Sequence, residues 1–272
     1  MKKLTAILLA AFMAFGFAGC GADNSANANA TPEKTFVLGL DDAFPPMGYV
    51  DPETGDIVGF DIDLAKEACN RMGMELKLQP IDWNTKTAEL ANGNIDCLWN
   101  GFSKTEERER DFNLSMPYMQ NNQIILVKSG SGYKTLADLA GKTLGVQEDS
   151  SAETALDKNE AFKSSLKEIV RIGDYSKAIL EIKNGTIDAI AIDEVVARFY
   201  LKDDPDAYQI LSKEDGSVES LAVEDYVIGF RKEDDALKEK VEKALQEMAD
   251  DGTMTKISMD WFGEDVTIAA KK

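Results

Sequence analysis

The sequence predicts an α/β fold with mainly parallel sheets, and three observations predict it. Short apolar strand patterns alternate with amphipathic helix patterns from residue 35 onward, which is the grammar of β-α-β units. Two longer apolar strands, "NQIILVK" (122–128) and "EDYVIGFRKE" (224–233), interrupt that alternation. One stretch is also echoed: "NGNIDCLW" (92–99) and "NGTIDAIA" (184–191) each read as a helix stopped at glycine, then Ile-Asp, then an apolar strand. The echo reflects either ordinary helix–strand grammar, since Asn-Gly is a common helix stop, or two lobes of like topology.

The elements follow in order. "TFVLGL" (35–40) is an apolar strand, and "DDAFPPMGYVDPETGDIVGF" is a loop and hairpin punctuated by Pro45, Pro46, Pro52 and Gly55. Asp61 reads as the cap of a helix with Leu64, Ala68 and Met72 on one face, stopped at Gly73. "MELKLQPI" alternates as a strand, a short helix covers 85–91, and 94–100 is the next strand. Ser103 or Thr105 then reads as a helix start, with Glu106 and Glu107 in the first turn. Thr105 as the N-cap places Arg108 at the third helical position, where the helix dipole favours an anion. The second half repeats the pattern: a short helix at 135–140, strand 142–147, helix 151–158, strand 168–172, helix 174–184, strand 186–192 and helix 194–201. A charged helix at 234–250 carries Leu237, Val241, Leu245 and Met248 on one face, and a last helix carries "ISMDWFG".

Composition narrows the function. Residues 1–20, "MKKLTAILLAAFMAFGFAGC", have a charged start, an apolar run and small residues before a cysteine, which is a secretory signal. The run is shorter than the ~20 residues of a membrane helix. "FAGC" resembles the lipobox of bacterial lipoproteins, with Phe17 where leucine is usual, and implies lipidation of Cys20. Residues 21–34 are small and polar, the composition of a flexible tether. Without Lys2 and Lys3 the mature chain has 28 basic and 49 acidic residues, a formal charge of −21. Such a charge argues against nucleic acid and anionic lipid as partners. The chain has no histidine, which removes the usual general base and the commonest metal ligand. Cys69 and Cys97 read as two buried thiols, with a disulfide left open in an exported protein.

Several polar residues fall at the carboxyl ends of the expected strands, where open α/β sheets bind ligands. They are Asp41 with Phe44 nearby; Gly101, Ser103 and Arg108; Gln147 to Ser151; and Asp193. A guanidinium can grip a carboxylate through two parallel hydrogen bonds, and an aspartate accepts from an ammonium. Together they suit a zwitterion, with Phe44, Trp83 and Trp99 available to sandwich an apolar stem. Each residue also has an ordinary reading. Asp193 could cap a helix, Asp41 could sit in a turn, the tryptophans could be core, and Arg108 could pair with Glu106, Glu107 or Asp111.

"GLDDAFPPMGYVD…GFDIDLAKEACNRMG", "NIDCLWNGFSKTEERERDFNLSMPY", "DLAGKTLGVQEDSSAE" and "GTIDAIAIDE" resemble the extracytoplasmic family 3, or polar amino acid, solute-binding proteins of bacterial ABC importers. The likeness spans residues 35–265. It implies a two-lobed periplasmic-binding-protein fold of type II that closes on one free L-amino acid. Residues 35–126 and 226–266 would be lobe one, 127–225 lobe two and 267–272 a tail, with two hinge strand crossovers. It implies no catalysis and no cofactor, a monomer anchored through Cys20 outside the cytoplasmic membrane, and ABC permease subunits as partners. By that likeness Arg108 and the Ser103 amide would hold the ligand carboxylate. The Gly101 carbonyl and Asp193 would hold its ammonium. Asp41 would lie near its side chain, Phe44 would stack on it and Trp83 would line the other wall. Gln147, Ser150 and Ser151 would bond the carboxylate or side chain. Trp99 and Asn100 stand where relatives carry small residues, and Glu148 and Asp149 replace a more neutral loop. The acids near the pocket either face water or favour a polar or basic side chain such as lysine, arginine, histidine or glutamine. The same fold also admits a cyclohexadienyl dehydratase using a pocket glutamate, and a sensory module with a separate receptor.

Overall fold

In a computed structural model, residues 34–269 are described. The signal, Cys20 and nearly all of the tether lie outside that range. The first half contains β1 (Lys34–Leu40), the short strands β2 (Ala43–Phe44), β3 (Gly48–Val50) and β4 (Ile57–Val58), then α1 (Phe60–Met72), β5 (Met74–Pro80), α2 (Lys86–Ala91), β6 (Cys97–Ser103), α3 (Glu106–Asp111) and β7 (Asn113–Leu114). The long strand β8 (Met119–Lys128) leads to β9 (Thr143–Gln147), α4 (Ser151–Lys158), α5 (Glu160–Ser165), β10 (Glu168–Ile172), α6 (Tyr175–Asn184), β11 (Ala189–Asp193), α7 (Glu194–Asp203) and β12 (Tyr208–Ile210). A second long strand, β13 (Ser220–Phe230), precedes α8 (Asp235–Asp250) and α9 (Thr253–Phe262).

The main sheet runs β10-β9-β11-β8-β13-β6-β1-β5. At one end β5, β1 and β6 are parallel, and at the other so are β10, β9 and β11. Between them β8 and β13 pair antiparallel to each other and to their outer neighbours. Two parallel α/β sets are thus joined through one antiparallel pair of long strands. The expected parallel sheets are present, and the antiparallel centre is the two crossovers themselves.

The echoed segments build the same joint twice. Asp96 donates its backbone N–H to Val37 O (2.7 Å) and accepts from Val37 N at Oδ2 (2.9 Å). Asp188 does the same with Thr143, at 2.8 and 2.9 Å. Ile95 lies on Gly39, and Ile187 on Gly145, so closely that a Cβ on either glycine would collide with the isoleucine. Like topology in the two halves, rather than coincidence, explains the echo.

Three expectations needed correction. Asp61 does not cap α1. Gly59 occupies the cap position, and Asp61 lies inside the first turn, fully buried. The strand expected at 94–100 runs from Cys97 to Ser103, because pairing with β13 continues to Ser103. Gly101 and Ser103 are therefore in the strand rather than after it. Helix α5 and strand β12 were not expected. Elsewhere the apolar stripes pack as anticipated. Val241, Leu245 and Met248 of α8 are buried, each worth about 1.5–3 kcal/mol. Cys69 and Cys97 are free, buried thiols.

The joint makes a stability prediction. Gly39→Ala forces a methyl group onto Ile95 Cδ1 and should destabilise the fold by about 1–3 kcal/mol. Adding Ile95→Val removes that atom and should recover part of the loss. Urea denaturation of the single and double variants checks this, and a purely additive pair would refute the contact.

Candidate ligand-binding site

All seven residues of β6 are buried, so its polar groups must find partners inside the protein. Asn100 Oδ1 accepts from Asp41 N (3.0 Å), and Ser103 Oγ accepts from Ser151 Oγ (3.0 Å). Gly101 sits at φ +58°, a left-handed conformation unfavourable for other residues. A Cβ there would come within 2.7 Å of the Phe44 ring and 3.1 Å of the Tyr226 ring.

Of the two hydroxyls offered as a helix start, Thr105 caps α3, accepting the Arg108 backbone N–H at 3.2 Å. The Arg108 side chain then turns inward. Its Nη1 donates to Ser103 O (2.8 Å), and the guanidinium lies 4.2 Å from the centre of the Phe102 ring. Arg108 is 7 % exposed. Glu107 and Asp111 pair with Arg110, and Glu106 with Lys158. Among the described residues no acid forms an ion pair with Arg108. Burial pulls its pKa below the ordinary value. The charges of Glu224, Asp149, Asp193 and Glu107 oppose that shift without any of them pairing with the guanidinium. A desolvated cation with no paired acid is costly, and this arrangement suits an anion from outside the chain.

Asp193 ends β11 and stands at the N-cap position of α7, but its side chain makes no capping bond. Its Oδ1 instead accepts from Asn121 Nδ2, Gln123 Nε2 and Tyr226 Oη, each at 2.7 Å, and Oδ2 accepts from Tyr175 Oη (3.3 Å). Burial, followed by the charge of Glu224, raises its pKa to about 7 in spite of these donors. Gln123 Nε2 also reaches Ser151 Oγ and Glu224 Oε2, both at 3.1 Å. Arg108, Ser103, Ser151, Gln123 and Asp193 thus form one continuous polar chain across the junction of the two halves.

Asp41 closes the junction elsewhere. Its Oδ2 accepts from Gln147 Nε2 (2.6 Å), which also donates to Gly173 O (3.2 Å). Burial raises the Asp41 pKa to about 6. Phe44 faces Tyr175, ring centres 5.7 Å apart. Trp83 packs edge-on to Phe102 at 5.9 Å, so it reaches Arg108 only through that ring. Ser150 uses its hydroxyl to cap α4 by accepting from Glu153 N. Trp99 is wholly buried core.

The acidic loop does something the sequence did not suggest. Lys86, 2 % exposed, donates to the Asp149 carboxylate and to Asp149 O (2.9 Å), while Asn84 Nδ2 reaches Glu148 Oε2 (3.4 Å). Asp149 is held at φ +57°. Burial first, then the nearby Arg108 charge, lowers the Lys86 pKa to about 8. Both acids face water, as one of the two readings of the sequence had it, while they also bridge from one half to the other.

Residues 36–264 match the model of the bacterial extracellular solute-binding proteins, family 3. The chain belongs to this family. The arginine-binding extracellular protein ArtP of Bacillus subtilis (strain 168) is 33% identical over 265 residues, covering 96% of this chain and 98% of that protein. An ABC uptake transporter substrate binding protein from Streptococcus pneumoniae, solved with bound histidine, is 38% identical with a TM-score of 0.80 over 86% of this chain and 94% of that one. The arginine-, lysine-, histidine-binding protein ArtJ from Geobacillus stearothermophilus is 34% identical with a TM-score of 0.76, covering 85% and 96%. Membership makes this chain an extracellular solute-binding protein with the two-lobed α/β fold, and not an enzyme. No helix among the described residues is long and apolar enough to cross a membrane.

Asn121, Gln123, Tyr175, Glu224 and Tyr226 were missed from sequence. Their signal was present in part. Asn121 and Gln123 are two apart on β8, and Glu224 and Tyr226 two apart on β13, so each pair shares one face of its strand.

Asp61 and Asp193 reach about 7, and Asp41 about 6, from an ordinary 3.8. Near pH 4 the unfolded chain releases these protons while the folded, ligand-free protein keeps them. Stability should therefore fall as pH rises from about 4 to about 7, by up to about 1.4 kcal/mol per unit for each acid. Calorimetric melting across that range checks the slope, and Asp193→Asn should flatten it. A melting temperature that climbs through the window would contradict the assignment.

Proposed function

We propose that this protein captures one free L-amino acid with a cationic side chain between two lobes and delivers it to an ABC permease in the membrane. The observation that carries this reading is the buried Arg108, which has no acid paired with it. A ligand carboxylate suits Arg108 and the Ser103 amide, and a ligand ammonium suits Asp193 and the Gly101 carbonyl. Glu224 then remains as an acid in that cluster, and Asp41 as one at the same junction, bonded to Gln147. Two remaining acids favour a positive charge on the ligand side chain, with Phe44 against its stem and Trp83 behind Phe102. Gln147, Ser150 and Ser151 complete the wall. Relatives solved with histidine, or named for arginine, lysine and histidine, agree with this lean. In this reading residues 35–126 with 226–266 move as one lobe, 127–225 as the other, and 267–272 as a tail, in a monomeric protein. Closure is driven by the ligand's greater affinity for the closed form.

Calorimetry and thermal shift against the twenty L-amino acids should rank arginine, lysine and histidine first and aspartate and glutamate last. No heat and no stabilisation from any of them would sink the proposal. Arg108→Ala and Asp193→Ala should each weaken binding by about two orders of magnitude or more, since each strips the partner from a buried charge. Wild-type affinity in both variants would mean the site lies elsewhere.

We further propose that Cys20 carries a lipid anchor outside the cytoplasmic membrane. Cys20→Ser should move the protein from the detergent phase to the aqueous phase in a phase-separation assay. Unchanged partitioning would remove the anchor.

A further inference from the structure

Asp61 is the most deeply buried acid that the proposed site does not use. It is 0 % exposed, lies in the first turn of α1 and joins no ion pair among the described residues. Its Oδ2 accepts from Gly101 N (2.7 Å) and from Tyr118 Oη (2.9 Å). Its Oδ1 and the nearby Trp99 Nε1 each lack a partner of hydrogen-bonding geometry. A carboxylate in such surroundings is expensive, and an apolar side chain of similar size would pack there at lower cost. Capping does not explain it, because Gly59 holds that position.

Gly101 connects Asp61 to the site. A residue at φ +58° within a strand departs from extended geometry, and its N–H then needs a partner away from the ladder. Asp61 supplies that partner. On its other side Gly101 touches Phe44 and Tyr226 closely enough that no Cβ fits. Tyr226 in turn donates to Asp193 at 2.7 Å. A second route runs through Tyr118, whose ring centre lies 6.3 Å from that of Tyr226. A movement of the Gly101 turn toward these rings would press on Phe44 and Tyr226.

We infer that Asp61 is a positioning residue of the ligand site: by holding the Gly101 amide it fixes the left-handed turn that sets Phe44 and Tyr226, and through Tyr226 the Asp193 carboxylate. This rests on the amino-acid-binding reading above. It assigns Asp61 no contact with ligand.

The test uses Asp61→Asn, Asp61→Ala and Tyr118→Phe in the full mature domain. Affinity for L-arginine is read by calorimetry on the folded fraction, and the Gly101 amide by its proton–nitrogen NMR signal. Asn keeps an acceptor of the same shape but without charge, so it guards against a variant that fails to fold. The Gly101 proton should move upfield in both Asp61 variants, and the dissociation constant should rise in step with it, by about tenfold or more for Asp61→Ala and less for Asp61→Asn. Tyr118→Phe should leave the amide bonded and produce the smallest loss. An Asp61 variant whose amide signal moves while its affinity stays wild-type overturns the inference, as does an amide signal that does not move. If the wild-type protein binds no amino acid, the functional reading fails instead, and the two failures are separable.

Discussion

Two groups of opposite charge when ionised, Arg108 and Asp193, are both buried at the junction of the halves, and they do not touch. Arg108 is held by Ser103 O and the Phe102 ring, and Asp193 by four side-chain donors. Between them stand Ser103, Ser151 and Gln123. Had the two charges collapsed onto each other, the pair would be an ordinary buried salt bridge with nothing left to recognise. Holding them apart costs desolvation energy on both sides. Much of the surrounding structure, including the left-handed Gly101, the inward Tyr226 and the polar face of β8, keeps that separation.

The scaffold beneath is repeated. In each half an aspartate after the helix stop clamps one residue of a parallel neighbour strand, Val37 of β1 or Thr143 of β9, and an isoleucine fills the space over a glycine. This joint sets where β6 and β11 start; β6 then runs along β13 to Ser103, and β11 ends at Asp193. The placement of the two charged groups follows from backbone register rather than from side-chain reach.

Most of the alternation of strands and helices was legible, because apolar periods and caps such as Thr105 are local signals. The end of β6 was not, since it depends on pairing with β13, more than a hundred residues away in the chain. Asp61 was misread for a related reason. An acid ahead of an apolar run has the signature of a cap, and nothing local reveals that its partner is the amide of Gly101. Of the candidate site residues, those at strand ends could be named from the chain alone. The polar side chains on the two long strands could not, since an Asn-x-Gln or Glu-x-Tyr spacing looks the same on any half-exposed strand. The Lys86–Asp149 bridge needed the fold before it could be seen at all.

Asn121 and Gln123 lie on β8, Glu224 and Tyr226 on β13, and these two strands are also the antiparallel pair that connects the halves, with Glu224 opposite Asn121. Three of the four groups that grip Asp193 are therefore mounted on the connecting strands, the fourth being Tyr175 of α6. A twist in that strand pair re-aims three of the four donors to Asp193. Stiffness of the connection and strength of the grip are consequently one property of the molecule, and a substitution in these strands cannot tune one without altering the other.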